Sequence, residues 1–318
     1  MKRPPPLSQH QLTQLRTLEP QLRECISSAD LERAKTVAAR VQRLLLPTGH
    51  KTRWMMNQNW LCECAVEAGD TVFAVQRLEG VRASVTHTTR IYLEATTLLA
   101  ICYVRQGYIE KAKPLISFVL SNASVIGSTR RREQFHKRFI LRLEEESILA
   151  SLRESVQVTH NVDEIQDQAI KLLVIDEGGL TLRLASCIPP DGLKLLAGLR
   201  DHSLKALPGP ERKLLPGPHQ ASSLPSAGER MRQALRRVTW RALCDPSHEV
   251  YKAWSNGLSV VYDKKWITAA ILGVCKSWHI TATMLVTTLV ALAFKLGANA
   301  YCEAFAPKGI MIALDEKE

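Results

Sequence analysis

The sequence is poor in the features that announce a chemistry. It holds no Walker-type glycine loop, no GxGxxG, no HExxH and no GxSxG, so the usual signatures of nucleotide binding, zinc hydrolysis and serine acyl transfer are missing. Aromatic residues make up only 6% of the chain, thin for a protein that holds bases by stacking. Cysteine occurs 8 times but never as CxxC, which removes zinc-ribbon and thioredoxin-type motifs. Cys25, Cys62, Cys64, Cys102, Cys187, Cys244, Cys275 and Cys302 read as small buried hydrophobes of a reducing compartment. On a helix the thiols of the close pair Cys62 and Cys64 would point apart and suit a metal poorly. The opening MKRPPPLSQH has charge and proline but no apolar h-region, so no secretory signal is expected and the default location is cytoplasmic. No cofactor is indicated. Asp245, His248 and Glu249 in CDPSHE read as a turn and helix cap rather than a metal set.

Positive charge is plentiful: 42 Lys and Arg stand against 31 Asp and Glu, a net charge of +11. Such a chain attracts polyanions or an anionic membrane surface at long range, weakly and with strong salt dependence. The hydrophobic share of 46% is that of a globular protein, and 318 residues suffice for two domains.

Residues 1–9, with Pro4, Pro5 and Pro6, read as a flexible lead-in. Helical periodicity then runs to about residue 155. Three copies of one plan appear around Ala29, Gly69 and Gly107. Each has a small turn residue, then five positions on an alanine, Ala34, Ala74 or Ala112. Four further on comes Ala38, Leu78 or Ile116, and three more brings Val41, Val81 or Val119. This layout resembles the tetratricopeptide (TPR) repeat. The third copy matches best, with Leu99, Ala100, Tyr103, Gly107 and Ala112, followed by Ile116 and Val119, at signature positions. The turns are 40 and 38 residues apart, longer than the family's period of about 34, so a loosely TPR-like solenoid is expected. The resemblance implies a superhelix whose concave face holds another protein's helix or extended peptide.

Residues 128–154 predict one long helix, basic at its start and acidic midway. Arg130, Arg131, Arg132, Lys137 and Arg138 are candidates for contact with an acidic partner or polyanion, with Phe135 and Phe139 interleaved. Arg131 and His136 repeat the R-x4-H spacing that resembles the catalytic signature of HEPN-type RNases, although the polar residue such enzymes favour after the arginine is here Arg132. Two shorter helices follow over 162–173 and 190–207. The segment 208–228 carries five prolines, Pro208, Pro210, Pro216, Pro218 and Pro225, and reads as an extended linker.

Residues 229–318 then predict a small helical domain, opening with a basic amphipathic helix whose Arg236 and Arg237 are further candidates for contact with an acidic partner or polyanion. Its most apolar stretch runs from Trp266 to Phe294. Lys276 and His279 divide this stretch, and the longer part, Ile280–Phe294, is about fifteen residues, short of the eighteen to twenty of a spanning helix. A buried core or oligomer helix containing Leu285 and Leu289 is therefore expected. The competing expectation is an inserting hairpin anchored by Trp266, which would place the chain on or in the inner membrane.

The expected architecture is all-α: a TPR-like array with a helical extension over 10–207, the linker, and the C-terminal helical domain. The expected function is that of a non-catalytic adaptor or regulatory subunit, of the kind found in bacterial defence or stress systems. Its array would bind a partner protein and its C-terminal domain would oligomerise or make a second contact. A membrane-acting effector and an RNase acting through Arg131 and His136 are the alternatives.

Overall fold

The computed structural model describes residues 4–153, 160–213, 215–244, 260–296, 301–302 and 309–310. The candidate cap set Asp245, His248 and Glu249 lies outside them. Among the described residues every regular element is helical. The chain divides into two compact units: Met1–Ile140 with Lys205–Leu214 and Pro307–Glu318, and Leu141–Leu204 with Leu215–Ala306.

In the first unit six helices form three consecutive hairpins: α1 (Gln9–Ser28) with α2 (Leu31–Leu45), α3 (Lys51–Ala68) with α4 (Thr71–Ser84), and α5 (Arg90–Arg105) with α6 (Ile109–Ser121). Each helix packs on the next, and α3 also packs on both α1 and α5, the pattern of a stacked helical array. The hairpins share one turn. Ala29, Gly69 and Gly107 all take left-handed backbone angles, with φ of 52°, 89° and 81°. Past each of them a backbone N–H reaches back over the end of the helix: Asp30 donates to Cys25 O at 3.1 Å, Asp70 to Ala65 O at 2.9 Å and Tyr108 to Tyr103 O at 2.8 Å. This closure satisfies carbonyls that the helix end would otherwise leave bare. Asp30 and Asp70 then cap the outgoing helices, accepting from Arg33 N at 3.1 Å and Phe73 N at 3.0 Å. The alanines five positions on, Ala34, Ala74 and Ala112, are fully buried, as are Ile116, Val119, Leu78 and Val41 at the following positions. A small residue there lets two helix axes approach closely.

The helix α7 (Thr129–Ser151) runs past the unit boundary at 140. Next come α8 (Val162–Lys171), α9 (Glu177–Ala185) and α10 (Pro190–Ala206). Gly178 and Gly179 lie in the first turn of α9, where Asp176 caps the Gly179 N–H at 2.7 Å. Segment 208–228 holds two single-turn helices, α11 (Gly209–Arg212) and α12 (Pro218–Ala221), each with proline in its first positions, where the missing N–H has no helical partner to lose. It also holds the start of α13 (Leu224–Cys244).

The second unit is built on α13, which packs against α9 and the helix Val260–Ser277. His279, at φ 57°, ends that helix, and the Ile280 N–H closes on Cys275 O at 2.8 Å. The chain restarts as the helix Thr283–Leu296, where Leu285 through Ala293 are all buried. Leu285 and Leu289 therefore lie inside the core of their own unit with Met231, Leu235 and Ile271. Trp266 stays 48% exposed. Among the described residues no helix is long and apolar enough to cross a membrane. One expectation is corrected: Cys244 and Cys302 are not free thiols but form a disulfide that ties the end of α13 to Tyr301–Cys302. Their separation of 58 residues hides the pair from any local reading.

The shared turn makes a sharp prediction. Ala29 adopts a conformation that penalises a side chain, so Ala29→Gly should raise stability by about 1 kcal/mol in urea unfolding. Gly107→Ala should lower it by about the same amount, since no atom lies within 4 Å of the added Cβ and only the backbone term remains.

Candidate docking face of the helical array

The middle helix of the array, α3, is enclosed to an unusual degree: residues Asn57 through Val66 are all buried. An amphipathic surface helix would bury only one stripe. At about 100° per residue the contacts of α3 sort onto distinct sides. Toward α1, Asn57 Nδ2 donates to Glu19 Oε1 at 3.1 Å and Cys64 Sγ donates to Cys25 O at 3.2 Å. Toward α5, Asn59 Nδ2 donates to Ile91 O at 3.0 Å, and Val66 O accepts from the buried Arg105 guanidinium. Toward α4, Gln58 Oε1 accepts from Arg77 at 2.9 Å. Met56, Trp60, Glu63 and Glu67 occupy the side that remains, opposite α4.

That side carries a chemistry of its own. The Arg23 guanidinium of α1 lies 4.4 Å over the Trp60 ring, a cation–π contact strengthened by partial desolvation. Trp60 is 2% exposed and Glu63 only 1%. Gly309 approaches here so closely that a Cβ on it would sit 2.9 Å from Glu63 Cδ and Oε1. Ile310 beside it is 8% exposed. The flanking polar groups are fixed by ion pairs. Arg53 grips Glu19 with two hydrogen bonds of 2.8 Å, which holds the guanidinium above its ordinary range. Arg90 Nε meets Glu94 Oε1 at 2.8 Å. The first pair ties α3 to α1; the second lies within α5 and orients Glu94, which accepts from Asn59 Nδ2 of α3 at 3.3 Å.

The other sites expected from the sequence are scattered. Of the repeat residues, Leu99, Ala100 and Ala112 are buried packing positions, while Tyr103 donates to Glu79 at 2.8 Å. Burial and that acceptor push its phenol up to about 12. On α7, Arg130, Lys137 and Arg138 are exposed, and Arg131 and Arg132 are half-buried. Phe135 and Phe139 stack at 6.2 Å inside the first unit and do not face solvent. His136 is 2% exposed, with Nδ1 held by Glu211 and Arg132 Nε 3.9 Å from the same carboxylate. Its Nε2 is buried without a hydrogen-bond partner among the described residues. A general acid or base must reach the reacting proton, and in this arrangement neither ring nitrogen meets solvent.

Arg236 and Arg237 are interior residues of the second unit. Arg237 pairs with Glu145 at 3.2 Å and Glu146 at 2.9 Å. Burial, and then the neighbouring Arg232, bring the Arg236 guanidinium down to about 10, still charged at neutral pH. Arg142 bonds Glu146 at 2.8 Å, and Glu144 takes Arg200 and, at 3.4 Å, Arg230. The acidic run 144–146 is thus a buried anionic centre for arginines of α7, α10 and α13. One signal for it was present: three consecutive helical residues span about 200° and cannot all share one solvent face.

The chain matches no family model, no curated protein and no solved structure.

Two stability predictions follow from these buried charges. Glu144→Ala strands the Arg200 guanidinium and should cost about 3–5 kcal/mol, whereas Glu144→Met with Arg200→Met should recover most of it; urea midpoints of the three proteins decide. Burial holds the His136 imidazole below its ordinary 6.5, against the opposing pull of Glu211. The folded state then binds fewer protons than the unfolded one, so this group's contribution is present above pH 6.5 and is lost as pH falls through the folded value. Glu144 and Glu145, raised by burial, work the other way, being most favourable below their ordinary 4.5. Subtracting the pH–stability curve of His136→Asn from that of the parent should therefore isolate a loss on acidification below pH 6.5.

Proposed function

We propose that this chain is a non-catalytic adaptor or regulatory subunit whose TPR-like array docks a segment of a partner protein, with the second unit available for a further contact or self-association. The observation that carries this reading is the repetition of one turn and one buried alanine through three consecutive hairpins. That repetition lines α1, α3 and α5 up as a row. A row of parallel inner helices presents a continuous face, and such faces recognise helices or extended chains. The rigid polar ties between α1, α3 and α5 support the reading, because a preorganised face loses little entropy on binding. Exposed Arg130, Lys137 and Arg138 add positive charge that would speed encounter with an acidic partner.

Native size-exclusion chromatography at physiological salt, followed by mass spectrometry of the peak, tests the proposal. A second protein in fixed stoichiometry with the chain is expected. Elution of the chain alone, with no partner across fractions, would contradict it.

A further inference from the structure

The inner side of α3 is closed by the chain itself. Trp60 and Glu63 are nearly inaccessible, and Gly309 lies so near the Glu63 carboxylate that a Cβ on it would force that side chain to shift. Ile310 is buried next to it. Both residues belong to the first unit although the preceding segment, Leu215–Ala306, belongs to the second. Gly309–Ile310 therefore packs within the first unit over the Glu63 side of α3, beside the Arg23–Trp60 contact. A buried carboxylate is costly unless polar groups reach it, and a glycine backbone is the part of a chain that approaches most closely.

We propose that the Trp60–Glu63 side of α3 is the array's docking site for a chain segment, and that Gly309–Ile310 occupies it in cis. This rests on the adaptor reading and adds to it the location of the site, the kind of segment it takes and its regulation. An incoming partner displaces Gly309–Ile310 with a segment that brings a glycine over Glu63 and an aliphatic residue beside it. The partner's apparent affinity is reduced by the fraction of molecules in which the site is filled in cis.

The test uses a fluorescein-labelled peptide of residues 307–318, PKGIMIALDEKE, with fluorescence anisotropy as the readout. Three proteins are compared: the full chain, the full chain carrying Gly309→Leu, and the chain ending at Lys308. The shortened chain and the Gly309→Leu chain should bind the peptide at least tenfold more tightly than the parent. A peptide carrying leucine at the glycine position should lose that binding. Circular dichroism accompanies each titration. Loss of the array's helical signal on shortening would make Gly309–Ile310 a fixed part of the core and overturn the proposal. So would a folded shortened chain that ignores the peptide, or one that binds the leucine peptide equally well. A parent dimer that dissociates on shortening would place the segment on a second copy and overturn the assignment in cis. Failure of these titrations while the native chain still elutes with a partner defeats this inference alone; success with no partner in the native peak leaves the site intramolecular and defeats the adaptor reading.

Discussion

Everything in the first unit depends on one backbone event, the left-handed residue that ends α1, α3 and α5. It turns the chain through a reverse hydrogen bond at Asp30, Asp70 and Tyr108 and starts the next helix at once. Because the event is the same three times, the alanines that follow it meet equivalent surfaces, and the hairpins stack in register. A longer or irregular connection would let each pair choose its own angle, and no continuous row α1, α3, α5 would form.

The row explains why α3 is hydrogen-bonded on so many sides. Asn57, Gln58 and Asn59 are consecutive, so they point in three directions and tie α3 to α1, α4 and α5 in turn. One polar atom of each amide reaches a neighbouring helix, and that bond specifies register. The same economy appears in the second unit, where Glu144, Glu145 and Glu146 serve arginines from three helices.

Local features were legible in the sequence, and distant pairings were not. Gly69 and Gly107 mark turns because glycine tolerates positive φ, and Ala34, Ala74 and Ala112 mark close packing because they recur at a fixed offset. The interruption of the apolar stretch at His279 could likewise be read from Lys276 and His279 themselves. By contrast, His136 meets Glu211 across 75 residues, Arg237 meets Glu145 across 92, and Cys244 bonds Cys302 across 58. Periodicity reports which side of a helix is apolar and says nothing of which charged side chain will be brought to it. For that reason Arg236 and Arg237, which read as surface cations, sit inside the second unit. The placement of Gly309 over Glu63 is of the same kind, since one glycine in PKGIMIAL is indistinguishable from any other until the fold brings a carboxylate beneath it.

The measurement that bears most directly on this account is photo-crosslinking from the Trp60–Glu63 side of α3. A benzophenone amino acid replaces Glu67, one turn beyond Glu63, in the full-length chain, and the adducts are mapped by mass spectrometry. For the isolated chain, adducts at Gly309 or Ile310 are expected, giving way in the native complex to adducts with the partner. Adducts that fall only elsewhere in the chain, unchanged by the partner, would contradict it.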